Sequence, residues 1–342
     1  MKTKAAYGLL KDIFLQDPPI FENNYDYTGI FDNLEDSLQL SAMLFPELLQ
    51  LSTLDDYKEK ITGLLVSLVD SGYVKPGTYE NYLSNIYIDA KVALKKQQGK
   101  DEKLMQEANK KEADGDDEPE RSYRYNSKGS SLENYSILLM PFYDYNKNVR
   151  SFFAKLLQSK DPFVKLNTAV LMIRSNRFVP DSLLLSFAAD DQYRGTLFAE
   201  LEKIKRPERF PAAYYTQPLI ARSLLVEQNE YDKLDSIVFI TRQPASLKGK
   251  RGFVYFYKYR IKRDDQWKIG ISGLQPENEK EVSYKDELTE MTDIRLKDDE
   301  PVPDQLNKQL KKMLFGLHKS GKYFFNDYNG YGNIRAVSDY ED

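Results

Sequence analysis

His318 is the only histidine in the 342 residues, and there is no cysteine. The usual bases and nucleophiles of neutral-pH catalysis are therefore nearly missing from the composition. His318 sits on an amphipathic helical pattern beside Lys319, and no G-x-S-x-G sequence exists for it to serve. The helix-dipole role of a last-turn histidine describes it best, and no catalytic residue is assigned. Without cysteine, disulfides, thiolate catalysis and cysteine-ligated zinc are excluded. Carboxylates cluster at Asp55-Asp56, 114–118, Asp190-Asp191, Asp264-Asp265 and 298–300, but each reads as a cap, a turn or a solvated run. Asp114, Asp116 and Glu118 have calcium-loop spacing, yet Gly115 is misplaced and Pro119 follows. Neither phosphate-binding glycine motif is present. No metal and no cofactor is expected.

One stretch has a stronger chemical bias. Residues 242–263 hold eight basic side chains and no acidic one, interleaved with tyrosine and phenylalanine. Basic aromatic strands of this kind bind single-stranded nucleic acid by stacking. The surface residues it offers to a ligand or partner are Lys250, Arg251, Tyr255, Tyr257, Lys258, Tyr259 and Arg260. The RNA-recognition signature is absent, and a net charge of −4 disfavours a nucleic-acid partner. Within the strand, Phe253, Tyr255, Tyr257, Tyr259 and Ile261 alternate with Val254, Phe256, Lys258, Arg260 and Lys262, the period of a half-buried strand. The stripe Leu306, Leu310, Met313, Leu314 and Leu317 on a C-terminal helix, capped by Asp304, is expected to cover the tyrosine face. The acidic residues 276–300 are expected to neutralise the basic patch.

The elements around this strand divide the chain. Residues 1–97 read as an N-terminal helical region, with a short helix near 4–15, a helix over 36–51, one started by Thr53-Leu54-Asp55-Asp56 and ended by Gly72, and one capped by Thr78. Residues 98–130 contain the acidic run EADGDDEPE and read as a disordered linker or insert, although the polar residues 95–111 could extend a helix. Residues 131–229 form a central helical region. Residues 235–325 alternate with period two and then turn helical, giving an antiparallel sheet with a covering helix; extra strands are expected near 281–284 and 292–296. Residues 326–342 form a loose tail.

The central region has its own pattern. Val149, Phe152, Phe153, Leu156 and Leu157 line one helix face, with Asn148 as the expected cap. Asp161-Pro162 opens the next helix, because aspartate accepts first-turn amides and proline at the first position forfeits none. Phe163, Leu166, Val170 and Ile173 follow, and Asn176 takes the left-handed terminus. Leu183 to Ala188 and Tyr193 to Ile204 give two more short helices, which stop before Pro207. Asp161-Pro162-Phe163-Val164-Lys165, with Ala169 and Leu171, resembles the second helix of a HEAT repeat, with Lys165 where arginine is usual. One repeat is legible, around 148–205. The resemblance implies stacked helix pairs forming an α-solenoid that binds proteins or peptides.

The fold expected is α+β, a helical HEAT-like region followed by a small antiparallel sheet domain. The function expected is a non-enzymatic interaction scaffold with a protein or peptide partner. The alternatives are an enzyme using no histidine or cysteine in its C-terminal domain, and a single-strand nucleic-acid module using residues 252–262. No apolar run reaches membrane-spanning length. The cytoplasm is the expected compartment unless an upstream export signal has been removed.

Overall fold

The computed structural model describes residues 38–52, 55–114, 131–227, 234–261, 266–285 and 287–319. The helix expected near 4–15 and the tail at 326–342 lie outside the described residues. The chain divides into two compact units between Val179 and Pro180, inside the stretch 131–229 that the sequence presents as one helical region.

The first unit is helical among its described residues. Two short helices, α1 (Leu38–Ser41) and α2 (Phe45–Leu51), are broken at a single 3-10 turn, with Pro46 in the first turn of α2, as its missing amide allows. They precede α3 (Asp55–Asp70), α4 (Leu83–Asp114), α5 (Ser131–Leu139), α6 (Lys147–Leu157) and α7 (Pro162–Arg174). Helix α5 packs against α3 and α4, and α6 packs against α7. Tyr79 anchors the core. It is fully buried, its ring lies 5.8 Å from that of Phe45 and 5.4 Å from that of Phe142, and its hydroxyl donates to the Leu138 carbonyl at 3.1 Å. Burial pushes that hydroxyl well above the ordinary tyrosine pKa.

Three local expectations are corrected here. Asn146, not Asn148, caps α6: its side chain accepts from the amides of Asn148 and Val149 at 2.9 and 3.2 Å. Thr78 does not open a helix, because 76–82 form two 3-10 turns and α4 begins at Leu83. Residues 98–114, part of the stretch 98–130 read as linker, continue α4 as helix, as the polar residues 95–111 allowed, and 115–130 lie outside the described residues; 98–114 is rich in Lys, Glu, Gln and Ala, which favour helix without needing a buried face. Asp161 does cap α7 ahead of Pro162, at 2.8 Å to the Phe163 amide, and Asn176 takes a positive φ of 56°.

The second unit starts with α8 (Asp181–Ala189), α9 (Asp191–Lys203) and α10 (Gln217–Glu227). A four-stranded antiparallel meander follows in the order β1 (Leu234–Leu247), β2 (Lys250–Ile261), β3 (Lys268–Pro276), β4 (Glu290–Arg295). Lys248 and Gly249 join β1 to β2 with φ of 49° and 79°, the double positive φ that suits the right-handed twist of a two-residue hairpin. Helix α11 (Val302–Lys319) ends the described chain. Residues 281–284 are not a strand, and α11 begins before Asp304, with the Pro301 carbonyl accepting from the amides of Asp304 and Gln305.

The sheet is covered on both faces, and the covering differs from the expectation. Leu306 and Leu310 of α11 join Leu247, Val254, Phe256, Ile269, Ile271 and Leu288 in one core. The tyrosine face belongs to α10 instead: Ala221 and Leu225 pack with Tyr255 and Tyr257. Gly270 makes this approach fit, because any side chain there would collide with Leu225. The half-buried reading failed because Val254 and Phe256 give β2 a second apolar face.

Candidate functional site

The basic aromatic strand is the site the sequence singles out, and its residues separate into two groups. The tyrosines are internal. Tyr255 donates to Gln217 Oε1 at 2.8 Å, Tyr257 to the Pro218 carbonyl at 2.5 Å and Tyr259 to the Thr292 carbonyl at 2.8 Å. Each buried hydroxyl thus has its acceptor, which lets a polar tip sit in an apolar layer. Burial, then the neighbouring Tyr255, holds the Tyr257 hydroxyl far above the ordinary tyrosine pKa. Rings covered by α10 present no face on which a base could stack.

Of the basic side chains, Arg242, Lys250 and Arg251 are exposed and Lys258 and Arg260 half-buried, and all five are engaged. Lys250 pairs with Glu287 at 3.4 Å and Arg251 with Glu277 at 3.0 Å, while Arg242 pairs with Glu279. The acidic stretch thus pairs with Arg242, Lys250 and Arg251 of the patch, although exposed pairs of this kind contribute little to stability. Lys258 and Arg260 both lie over the ring of Trp267, at 4.6 and 5.3 Å from its centroid. Arg260 also reaches Asp235, from Nε at 2.8 Å, and holds that carboxyl below its ordinary pKa. The backbone of α11 includes His318, whose side chain is outside the description.

Sequence reasoning missed the polar groups that organise this unit. Gln217 is buried at the start of α10. Its Nε2 donates toward the carbonyls of Pro276, Asn278 and Glu281 at 2.8, 3.1 and 2.9 Å. Gln275 exchanges two hydrogen bonds with the Ser283 backbone, at 2.7 and 2.8 Å. Gln305 accepts from the Lys297 amide at 2.9 Å and donates to the carbonyls of Lys297 and Glu300 at 2.8 and 2.7 Å. These three amides hold 276–300 by its backbone. The only available signal was Gln217-Pro218 opening a helix.

A second polar cluster joins α8, α9 and α10. Arg194, with 3% of its side chain exposed, donates to the carbonyls of Ala188, Ala189 and Leu219 and pairs with Asp191. Arg222 Nε lies 2.7 Å from the other Asp191 oxygen, as an ion pair without hydrogen-bond alignment. Ser223 Oγ accepts from the Gly195 amide at 2.8 Å and donates to the Asp191 carbonyl at 2.6 Å. Tyr284 donates to Glu227, and its ring fills the space where a Gly195 side chain would stand. These contacts tie α8, α9, α10 and Tyr284 to one another, so the arrangement is a clamp. Among the described residues, no group of three or more His, Asp or Glu side chains is placed to hold a metal ion. No described helix is long and apolar enough to cross a membrane.

Several large apolar side chains are exposed among the described residues, Phe178 and Phe315 the most, and in two places they are neighbours in one element. On α4, Ile88 and Val92 are 53% and 61% exposed, one helical turn apart. On β1, an edge strand, Val238 and Phe239 are also exposed. Comparison with family models, curated proteins and solved structures finds no match to this chain.

Proposed function

We propose that this protein is a non-enzymatic interaction scaffold whose helical unit binds a protein or peptide partner. The observation that supports the reading is the open face of α4. Ile88 and Val92 stand at i and i+4, so their side chains form one apolar spot on the helix surface. Lys91, Lys95 and Lys96 are exposed on the same helix, with the Lys91 ammonium 5.1 Å from the Tyr87 ring centre. An apolar spot edged by cations suits a partner with apolar side chains flanked by carboxylates. The Asp161-Pro162 start of α7 and its packing on α6 agree with a HEAT-like helix pair, the kind of unit that presents extended binding surfaces.

The test is affinity capture from the native source, followed by mass spectrometry, with wild type beside the double variant Ile88→Glu/Val92→Glu. Proteins retained by wild type and lost from the variant are the expected result, with circular dichroism showing unchanged helix content. An identical captured set would refute the reading.

A further inference from the structure

The open face of α4 is bordered by positive charge. Lys91 stands three residues beyond Ile88, and Lys95 and Lys96 three and four beyond Val92, so all three ammonium groups edge one apolar spot. None of the three is in an ion pair among the described residues. Apolar side chains flanked by carboxylates, the chemistry this spot suits, occur in the chain itself. Between Lys11 and Lys58 there is no basic residue, and residues 17–36 carry six carboxylates: Asp17, Glu22, Asp26, Asp32, Glu35 and Asp36. Two adjacent apolar pairs lie among them, Ile20-Phe21 and Ile30-Phe31. The second is the more closely set about by charge, with Asp26 four residues before it and Asp32, Glu35 and Asp36 within five after it.

The segment lies outside the described residues, but it leads into α1 of the same unit. The chain enters near the open face. Leu49 and the C-capping Ser52 of α2 line one cleft with Asn85 and Asp89 of α4, and Asn85 stands three residues before Ile88, on the side that carries the spot. The helical stretch from Leu38 to Leu51 rises at most about 21 Å. The extended chain from Phe31 to Leu38 spans up to about 25 Å, so Phe31 has the reach to lie on Val92. We propose that residues 17–36 are an intrachain occupant of this face, with Ile30-Phe31 on Ile88 and Val92 and the flanking carboxylates on Lys91, Lys95 and Lys96. An outside partner must then displace them. The inference rests on the reading of α4 as the binding face and adds its regulation. A tethered occupant acts at an effective concentration of roughly millimolar, so it weakens a free competitor of the same composition without any new contact.

The absence of cysteine makes a direct test available. Phe31→Cys/Val92→Cys places the only two thiols of the full chain on the two halves of the contact. In a glutathione redox buffer this variant should close an intrachain disulfide at least about tenfold more readily than Phe31→Cys/Tyr145→Cys, whose second thiol replaces a side chain as exposed as Val92 in the same unit. Adding Lys91→Glu, Lys95→Glu and Lys96→Glu should bring the first pair down to the level of the second. A labelled synthetic peptide of residues 17–36 should bind full-length Ile30→Asp/Phe31→Asp at least about tenfold more tightly than wild type, and should lose that binding when Ile88→Glu/Val92→Glu is added. Equal disulfide yields from the two pairs, a disulfide formed between chains rather than within one, or a peptide that binds wild type and Ile30→Asp/Phe31→Asp alike would each overturn the proposal. If any of these is found while Ile88→Glu/Val92→Glu still changes the captured set of proteins, the binding face stands and only its internal occupant is refuted.

Discussion

Replacing Gln217 by glutamate would test how the second unit is held together. The two side chains have nearly the same shape, but the carboxylate has no hydrogen to donate. In the native unit Nε2 faces three backbone carbonyls, those of Pro276, Asn278 and Glu281, at 2.8–3.1 Å, and only Oε1 is an acceptor. Gln217→Glu therefore removes both N–H donors and points a charge at three carbonyl dipoles in a site with 2% residual exposure. Losing two hydrogen bonds costs about 2 kcal/mol, and leaving the carboxylate unsatisfied adds roughly as much, for a total of about 4 kcal/mol at neutral pH. The burial and the carbonyl dipoles raise the introduced carboxyl's pKa above its ordinary value of about 4.3. A group whose folded pKa is raised contributes its stability below the unfolded pKa and loses it as pH climbs through the folded pKa. The deficit should thus be smallest near pH 4, where the acid can donate one O–H, and should grow toward pH 7. Trp267 is the only tryptophan and lies in this unit, so urea unfolding followed by its fluorescence reports the relevant transition. A deficit under about 1 kcal/mol at neutral pH, or one with no pH dependence, would refute the argument.

Three further outcomes are expected. Tyr257→Ala should lower the stability of the same unit by about 3–5 kcal/mol in urea melts, because it empties a fully buried aromatic site under α10. Asn146→Ala and Asp161→Ala should each cost about 1 kcal/mol by thermal melting, whereas Asn148→Ala should stay within about 0.5 kcal/mol, since its side chain caps nothing. In alkaline titration, Tyr79 and Tyr257 should form phenolate only as the chain unfolds. Their folded pKa values are raised, so the unfolded state loses protons first and stability falls as pH passes about 10; early, non-cooperative ionisation of all tyrosines would contradict this.

The parts legible in the sequence were those fixed by neighbours in the chain. Asp161-Pro162 could be read as a helix start because the cap and the amides it satisfies lie within three residues. The meander could be read because alternation and turn residues are local. Which helix covers which sheet face was not legible. Strand β2 is apolar on both sides, and nothing in its own pattern distinguishes α10 from α11 as the cover for Tyr255. The choice between Asn146 and Asn148 rested on which one adopts the extended backbone, and both have the right side chain. The glutamines were invisible for a different reason. Their partners are backbone carbonyls up to 64 residues away, and carbonyls look alike in every sequence. The candidate site suffered from the same blindness. Alternation showed that five large side chains share a side of β2, but only the position of α10 shows that this side is the interior.

Strand β2 is sealed by helices above and below and flanked by β1 and β3, so it has no free margin from which to fray. Its amides should exchange with solvent only when the whole unit opens, at the full free energy of that unit, while those of the edge strands exchange through smaller fluctuations. The strand richest in aromatic side chains would then be the slowest clock in its half of the molecule, and a hydrogen-exchange time course would find it last.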